Sequence, residues 1–373
     1  MRKPRVVIDA SSLMPRKWFR GIGRVTLELI RALETLDDLP VEIRLFGQRL
    51  GRERLQSYGF ISPVRYLPLP RWQPFLAARS ILPIVETLAP YDLLHIPHNY
   101  SPVFRPECTI VTLHDAMFAV CPDRRLHRPS DSALFFNLAR RCRAVITCSQ
   151  SAKRDIVETG KVAAEKVHVI YWGYNRTFRP VDDVQWLRDE LRRQFDIRRP
   201  YFLSVACDAG RKNTPSVLRQ FLSLAERGAD IDLVLIWRNP PEDILSIIAG
   251  HAHGSRVHVL GFISDEHLRL LYAGATALLY PSSYEGFGLP VLEAMACGTP
   301  VVTCNVSSLP EVGGDAAIYV EPGDEAALGV AMEGLLEGHW DTGVLRRKGF
   351  DQSGRFSWER TARTTAVLYA ANA

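Results

Sequence analysis

The sequence lacks any run of apolar residues long enough to cross a membrane, and its cysteines follow neither a metal-binding nor a disulfide pattern. A membrane-spanning helix needs about 18 consecutive apolar residues, and no stretch of the chain approaches that length. The first apolar run, 6–8, ends at Asp9 and is far too short for the core of a signal peptide. The seven cysteines are odd in number and include no Cys-x-x-Cys pair. We therefore expect a cytoplasmic protein that is soluble or lies at the inner face of the cell membrane.

A strong charge of one sign is also missing. The net charge is +5, from 46 Lys and Arg against 41 Asp and Glu, which argues against a nucleic-acid partner. Positive charge is nevertheless concentrated in residues 1–24, which hold seven Lys or Arg and a single acid, Asp9. Within that segment, residues 15–20 mix basic and aromatic side chains. This pattern suits a solvated loop, and it equally suits contact with an anionic membrane surface or a lipid diphosphate.

The length and the hydrophobic content predict two domains. The chain has 373 residues, of which 47% are hydrophobic, enough for two cores. Strand-like apolar runs alternate with helical patterns through both halves, which predicts an α/β protein with parallel sheets. A polar, charged stretch interrupts the alternation before residue 200. We therefore predict an N-terminal domain over 1–178, a linker over 179–199 and a C-terminal domain over 200–355.

The most informative stretch is 284–300, which reads Tyr-Glu-Gly-Phe-Gly-Leu-Pro-Val-Leu-Glu-Ala-Met-Ala-Cys-Gly-Thr-Pro. It lies between two apolar strand patterns, 277–280 and 301–303, so that the unit is a strand, a Gly-rich turn, a helix and a strand. In open α/β sheets the ligand lies beyond the carboxyl ends of the strands. Gly286 and Gly288 permit a close backbone approach there, and the N–H groups that begin the helix would face an anion.

Two carboxylates mark this stretch. Glu285 lies in the turn and Glu293 lies four to five residues into the helix, which separates them by roughly 6–8 Å along the axis. At that separation they cannot share a proton or a metal well, but they can hydrogen-bond two sets of hydroxyl groups along one extended ligand. A bare Glu-x7-Glu spacing also fits an ordinary amphipathic helix with an exposed acid at each end, so the flanking residues carry the functional interpretation.

Two adjacent cations, Arg211 and Lys212, follow the strand pattern 201–205 and precede a helix that begins at Thr214. Cations at the top of a strand and at a helix start form an anion site by charge and by backbone geometry. Arg can fork onto phosphate oxygens, whereas Lys acts as a point charge. The alternative is a solvated basic turn.

Histidines follow two strand patterns in the N-terminal half. His114 comes directly after 109–113, where it either faces a ligand or satisfies a buried hydrogen bond. His95 and His98 are three residues apart on an extended segment without a third ligand, which argues against a metal site.

The turn with Gly21 and Gly23 begins a helix that we predict from Ile22 to Leu36. It fails as a dinucleotide-binding fingerprint, because Thr26 stands where a third glycine is needed and no acid ends the next strand. A tight turn at a helix N-terminus remains, suited to contact with a phosphate or a sugar.

The Glu-x7-Glu stretch with its flanking residues resembles the retaining glycosyltransferases of family 4, which are of the GT-B type. The resemblance covers nearly the whole chain and is densest over 257–323. It implies two Rossmann-like, doubly wound parallel-sheet domains that face each other across a cleft, with the C-terminal helix 356–373 completing the N-terminal domain. It also implies that a nucleotide sugar is the co-substrate, that no other cofactor is needed, and that no divalent metal is required.

The resemblance assigns roles to single residues. His114 would face the transferred sugar, and Arg211 and Lys212 would neutralise the diphosphate. Glu285 would hold sugar hydroxyls, and Glu293 would hold the ribose. The implied catalytic residues are His114, Arg211, Lys212 and Glu285. The implied donor-binding residues are Gly21, Gly23, Arg211, Lys212, Ile263, Glu285, Gly286, Phe287, Gly288, Leu289 and Glu293.

Within the family, the stretch looks most like mannosyltransferases of bacterial surface-polysaccharide assembly. That likeness implies GDP-mannose as the donor and a lipid-linked saccharide as the acceptor. Three alternatives stay open: a transferase that uses another nucleotide sugar, a nucleotide-sugar epimerase or phosphorylase of related architecture, and a non-catalytic sugar-nucleotide-binding subunit. The intact set of His114, Arg211, Lys212, Glu285 and Glu293 argues against the last.

Overall fold

The computed structural model describes residues 2–13, 21–48, 52–67, 81–121, 129–206 and 210–373. The segment 15–20, for which we predict a solvated loop or a membrane contact, lies outside the described residues. The described residues form two units, Met1–Gly173 with Phe356–Ala373, and Tyr174–Arg355. We find no helix in the described ranges that combines the length and the apolar character needed to cross a membrane.

The first unit is built on a seven-stranded parallel sheet with the order β3-β2-β1-β4-β5-β6-β7. Its strands are β1 (Arg5–Asp9), β2 (Glu42–Gln48), β3 (Val64–Leu67), β4 (Leu93–Ile96), β5 (Thr109–Thr112), β6 (Ala144–Thr147) and β7 (Val167–Val169). The central strands are short, rich in β-branched residues and buried along their whole length, as helices on both faces of a parallel sheet require.

The second unit repeats this arrangement with six parallel strands in the order β10-β9-β8-β11-β12-β13. Its strands are β8 (Tyr201–Val205), β9 (Asp232–Ile236), β10 (Val257–Leu260), β11 (Ala277–Tyr280), β12 (Val301–Cys304) and β13 (Ala317–Val320). In each sheet the strand order reverses once, between β1 and β4 and between β8 and β11. The prediction of an α/β chain with two doubly wound parallel sheets is confirmed, and each reversal marks the position where such sheets bind ligands.

Helices connect the strands. They are α1 (Ile22–Glu34), α2 (Arg52–Ser57), α3 (Ile84–Leu88), α4 (Met117–Val120), α5 (Pro129–Arg141), α6 (Gln150–Gly160), α7 (Val184–Phe195), α8 (Thr214–Glu226), α9 (Glu242–Gly250), α10 (Asp265–Gly274), α11 (Leu289–Ala296), α12 (Leu309–Gly313), α13 (Glu325–Leu336), α14 (Thr342–Ser353) and α15 (Trp358–Asn372). Helix α1 is strongly amphipathic and buries its apolar face against β1 and β2. It ends at Glu34, two residues before the predicted end.

The C-terminal helix α15 belongs to the first unit, where it packs beside α1. Its residue Tyr369 is fully buried, and the phenol oxygen lies 2.5 Å from Nδ1 of His95 on β4. The opposite ring nitrogen of His95 lies 2.9 Å from the hydroxyl of Thr112 on β5. Burial lowers the pKa of His95 to about 3, so its ring is neutral. Through its contact with Tyr369, this buried histidine links α15 to the sheet.

The stretch predicted as a linker, 179–199, lies within the second unit. Arg269 on α10 donates hydrogen bonds to the backbone carbonyls of Arg179 and Pro180, at 3.0 and 2.8 Å. Helix α7 buries Leu187 and Leu191. These contacts give the segment fixed partners in the second unit although its composition is polar and charged.

Candidate functional site

The Gly-rich turn of the second unit joins β11 to α11, as the sequence predicts. Gly288 precedes α11 with φ +106° and ψ 43°, and a Cβ atom there would lie 3.1 Å from Cδ2 of Leu309. A residue other than glycine is strained in this conformation. Pro290 occupies the first helical turn, where its missing N–H is harmless. Gly298 follows the helix with φ +80°, the left-handed conformation that commonly ends helices.

The carboxylate of Glu285 is fixed through one oxygen. Its Oε1 accepts hydrogen bonds from the Arg211 guanidinium, from Nζ of Lys212 at 2.6 Å, from Oγ of Ser282 at 2.7 Å and from the hydroxyl of Tyr280 at 3.0 Å. The two cations come from the turn after β8, and the two hydroxyl groups come from β11 and the residues that follow it. Since β8 and β11 are neighbours in the sheet, this cluster of Arg211, Lys212, Tyr280, Ser282 and Glu285 forms at the point where the strand order reverses.

The other oxygen of this carboxylate, Oε2, receives no hydrogen bond from the residues that the structure describes. The backbone of Glu285 is held on both sides: its N–H donates to Oγ of Ser307 at 2.9 Å, and its carbonyl accepts from Oγ of Ser308 at 2.8 Å. The side chain therefore has little freedom, and one of its two carboxylate oxygens is tethered.

The charge state of Glu285 follows from two opposing effects. Burial works to raise the pKa of the carboxyl group, but the positive charges of Lys212 and Arg211 outweigh burial, so that the pKa lies below its ordinary value. The carboxylate is ionised at neutral pH. Two cations and one anion leave a net charge of +1 on the cluster, which suits an anionic ligand.

The two cations are held away from bulk water. The side chain of Lys212 is 11% exposed; its ammonium group donates to the hydroxyl of Tyr280 and lies 4.0 Å from the ring centre. The Arg211 guanidinium also donates to the carbonyl of Tyr284 at 2.8 Å, and the carbonyl of Arg211 accepts from the N–H of Ser283 at 2.8 Å. The sequence predicts an anion site at these cations, but it gives no sign that both point at Glu285.

Glu293 is the fifth residue of α11, in agreement with its predicted place in the helix. It is 4% exposed, and its Oε2 accepts a hydrogen bond from the hydroxyl of Tyr272 on α10 at 3.2 Å. Burial and the charge of Glu293 raise the pKa of the Cys297 thiol, so Cys297 is a protonated, buried side chain. The proposed contact of Glu293 with a ribose stays a prediction.

The remaining predicted donor-binding residues of the second unit differ in exposure. Phe287 and Ile263 are buried, and the carbonyl of Phe287 accepts from Oγ of Ser308 at 2.8 Å. Ile263 lies in the turn between β10 and α10, next to Phe262, which is 72% exposed. Ser264 caps α10 by accepting from the N–H of His267 at 3.2 Å. Gly286 lies in the turn, and Leu289 is the first residue of α11.

In the first unit, Gly21 is the residue before α1, with φ +85°, and Gly23 is buried in the first helical turn. Thr26 is fully buried, and its hydroxyl donates to the carbonyl of Ile22 at 2.9 Å. Oγ of Ser12 lies 3.0 Å from the same hydroxyl. The helix therefore begins where the sequence predicts, with a threonine at the position that a dinucleotide fingerprint reserves for glycine.

His114 lies at the carboxyl end of β5 and is 6% exposed. Its Nε2 donates to the carbonyl of Pro97 at 3.1 Å, and its ring meets the edge of Trp172 with centroids 5.0 Å apart. Burial lowers its pKa to about 4, so the ring is neutral and Nδ1 carries a lone pair. Nδ1 is buried, and none of the residues that the structure describes forms a hydrogen bond with it.

His95 and His98, at which the sequence argues against a metal site, have other neighbours in the structure. Nε2 of His98 lies 3.5 Å from a carboxylate oxygen of Asp9, whereas His95 has two uncharged partners, described above. Among the residues that the structure describes, no group of three or more His, Cys, Asp or Glu side chains is arranged to hold a metal ion.

Sequence reasoning missed the hydroxyl groups that order the cluster, those of Tyr280, Ser282, Ser307 and Ser308. Tyr280 ends an apolar strand and resembles a core residue. The signal that could have identified it is its position, because the last residue of a parallel strand beside the reversal point faces the ligand edge.

Comparison with known families matches both halves of the chain. The family model described as Glycosyltransferase Family 4 matches residues 19–178, and the model described as Glycosyl transferases group 1 matches residues 199–338. Together the two models cover most of both units.

Two curated relatives and one solved structure illustrate the similarity. O-antigen chain mannosyltransferase B of Escherichia coli is 29% identical over 94% of this chain and 95% of its own length. Serotype-specific mannosyltransferase WbdA of Escherichia coli is 27% identical over 96% of this chain, which spans 47% of that longer protein. The crystal structure of Anabaena HepE in complex with UDP-glucose superposes with a TM-score of 0.77 at 18% identity, over 99% of this chain and 100% of that one.

Proposed function

The chain belongs to family 4 of the GT-B glycosyltransferases, and we propose that it transfers mannose from GDP-mannose to a lipid-linked saccharide in the assembly of a surface polysaccharide. The proposal includes retention of the anomeric configuration and independence of divalent metals. The names of the relatives, both mannosyltransferases and one of them an O-antigen enzyme, support the sugar and the type of product. The fold alone leaves the donor base open, since a structure of the same fold holds UDP-glucose.

One observation supports the proposal most directly: Glu285 has one tethered oxygen and one oxygen without a described donor, beside a net positive charge. A carboxylate in this state accepts hydrogen bonds from hydroxyl groups, which a sugar supplies in number. The two cations next to it match the diphosphate that links the sugar to its nucleoside. A sugar diphosphate carries both features side by side.

The same cations would act in the chemical step. The bond between the anomeric carbon and the diphosphate oxygen breaks while a bond from that carbon to the acceptor oxygen forms, and the acceptor proton is released. Negative charge grows on the departing diphosphate. Cations and helix N–H groups that are already in place stabilise this charge without reorganisation. Arg211, Lys212 and the start of α11 would serve this purpose, so that a metal ion is not needed to neutralise the leaving group.

In the first unit, His114 has a ring nitrogen that can accept a hydrogen bond. Its Nδ1 lone pair is buried and has no donor among the described residues, and leaving a buried acceptor without a donor is unfavourable. We propose that a hydroxyl group of the ligand donates to it. Because the opposite nitrogen is committed to the carbonyl of Pro97, the ring can fill this role only in its neutral form.

We also propose that the enzyme works at the inner face of the cell membrane. A lipid-linked acceptor is itself a membrane component. The excess of positive charge in residues 1–24 suits an anionic surface.

A thermal-shift panel tests the proposal. GDP-mannose, UDP-glucose, dTDP-glucose and ADP-glucose would be added to the protein with and without EDTA. We expect the largest stabilisation from GDP-mannose and no change on adding EDTA. A response to none of the nucleotide sugars would refute a transferase, and a response that EDTA abolishes would refute the metal-independent mechanism. Conversion of the donor to a second nucleotide sugar without any acceptor would favour an epimerase instead.

A further inference from the structure

Tyr280 is the last residue of β11 and is 2% exposed. Its carbonyl accepts a hydrogen bond from Oγ1 of Thr303 on the neighbouring strand at 2.8 Å, so the residue is held firmly at the carboxyl edge of the sheet. Its hydroxyl contacts Nζ of Lys212 and lies 3.0 Å from Oε1 of Glu285. Within this buried setting, the phenol oxygen has one positive and one negative neighbour.

The chemistry of the three groups fixes the direction of each hydrogen bond. An ammonium group donates and cannot accept, and an ionised carboxylate accepts and cannot donate. Lys212 therefore donates to the phenol oxygen, and the phenol O–H donates to Glu285. Since Nζ and Oε1 are themselves 2.6 Å apart, the three groups form a closed triangle of contacts.

Lysine has a flexible four-carbon side chain, and a single ion pair restrains its ammonium group poorly. The second contact, to a hydroxyl on a rigid strand, restrains Nζ further. We propose that Tyr280 is a positioning residue, which sets the Lys212 ammonium group and the Glu285 carboxylate for a nucleoside diphosphate sugar. The inference rests on the proposed function of this site, because it assumes that Lys212 meets the diphosphate.

A second tyrosine of the same sheet provides a matched comparison. Tyr201 on β8 is 1% exposed, and its hydroxyl donates to the carbonyl of Leu271 at 2.7 Å. It thus has the same burial and one hydrogen bond, but its partner is an uncharged backbone group. If the hydroxyl of Tyr280 only stabilised the fold, removing either hydroxyl would have similar consequences.

The experiment compares Tyr280→Phe with Tyr201→Phe in the full-length chain. Binding of GDP is measured by calorimetry, and release of GDP from GDP-mannose in water gives a rate without the acceptor. We expect Tyr280→Phe to weaken GDP binding about tenfold, the usual scale for one hydrogen bond to a charged group, whereas Tyr201→Phe stays within about twofold of the parent. Thermal unfolding confirms that both variants are folded at the temperature used.

Two further readouts separate positioning from stability. In a Lys212→Met background, Tyr280→Phe should weaken GDP binding by less than about twofold, because the two residues act through one contact. The rate of GDP release from GDP-mannose should fall in acid as Glu285 becomes protonated. In Tyr280→Phe this fall should occur at higher pH, since Glu285 loses a hydrogen bond that favours its ionised form. Tyr201→Phe should leave this fall at the pH of the parent protein.

Equal effects of the two substitutions on GDP binding would overturn the proposal for Tyr280, and so would a full effect of Tyr280→Phe in the Lys212→Met background. Both outcomes leave the transferase assignment intact as long as the parent protein binds GDP. If GDP produces no heat but UDP does, the same series is run with UDP. A parent protein that binds neither nucleotide contradicts the proposed function itself, and the proposal for Tyr280 fails with it.

Discussion

Nζ of Lys212 and Oε1 of Glu285 are 2.6 Å apart, and their side chains are 11% and 10% exposed. The carboxylate therefore partly neutralises the cation that we propose for diphosphate binding. Breaking a buried pair from one side leaves an uncompensated charge. An anionic ligand would relieve that charge.

Glu285→Gln should thus separate binding from catalysis. We expect GDP to bind roughly tenfold more tightly, because Arg211 and Lys212 lose their internal counter-charge. Release of GDP from GDP-mannose should fall by about 100-fold, because the carboxylate that we propose holds the sugar is gone. The control is Glu325→Gln, which removes a half-buried partner of Arg219 in the same unit and should change neither quantity. Weaker GDP binding in Glu285→Gln would contradict the proposed competition.

The lowered pKa of Glu285 predicts how its contribution to stability depends on pH. A carboxyl group with a lower pKa in the folded state stabilises the fold above its unfolded value, ordinarily 4.5, and that stabilisation is lost as pH falls through the folded value. The melting temperatures of the parent and of Glu285→Gln should therefore differ by a constant amount from pH 8 to pH 5. The difference should shrink as the pH falls below 4.5. A difference that grows in acid would show that the carboxylate is not stabilised by its cations.

The buried ring of His114 predicts that the free energy of unfolding also depends on pH at values above those at which Glu285 titrates. The unfolded side chain binds a proton near pH 6.5, whereas the folded one does so only near pH 4. The unfolded state thus binds more protons between these values, and the free energy of unfolding falls as the pH drops through them, by on the order of 3 kcal/mol from this residue. Urea unfolding at several pH values should show a shallower decline for His114→Gln. His339→Gln, at a side chain 70% exposed, should keep the parent slope.

Gly288 has a backbone conformation that favours glycine, and it lies in the turn that we propose binds the nucleotide. Gly288→Ala places a methyl group 3.1 Å from Leu309 and forces alanine into φ +106°, which should lower the free energy of unfolding by about 1–3 kcal/mol and weaken GDP binding. Gly323→Ala is the matched control, because Gly323 has φ +81° and no atom within 4 Å of the added carbon. The control should lose stability while keeping its affinity for GDP. Equal loss of affinity in both variants would argue that the turn is not part of the nucleotide site.

Much of the fold could be predicted because local signals and tertiary structure agree. Apolar runs predicted the buried parallel strands, and the Gly-rich turn predicted where α11 begins. The segment 179–199 was predicted as a linker because most of its side chains are polar. Its attachment to the second unit depends on two buried leucines of α7 and on hydrogen bonds from Arg269, which local composition does not reveal.

The contents of the site were predicted better than their mutual contacts. Arg211, Lys212 and Glu285 each stand where strand ends and turns were expected, but about 70 residues separate the cations from the carboxylate. Their contact follows from the pairing of β8 with β11, which is a property of the sheet order. Tyr280 was not identified as a site residue, because in an apolar strand its hydroxyl is indistinguishable from that of a core tyrosine until its neighbours are known.

The position of α15 in the first unit has a consequence for synthesis of the protein on the ribosome. The second unit is one continuous segment, Tyr174–Arg355, and it can close its sheet as soon as that segment has emerged. The first unit is translated earlier, yet it cannot bury His95 against Tyr369 until residues 356–373 arrive. The half of the protein that is made first is therefore the half that is completed last. The apolar surface that α15 covers stays exposed until residues 356–373 have been synthesised.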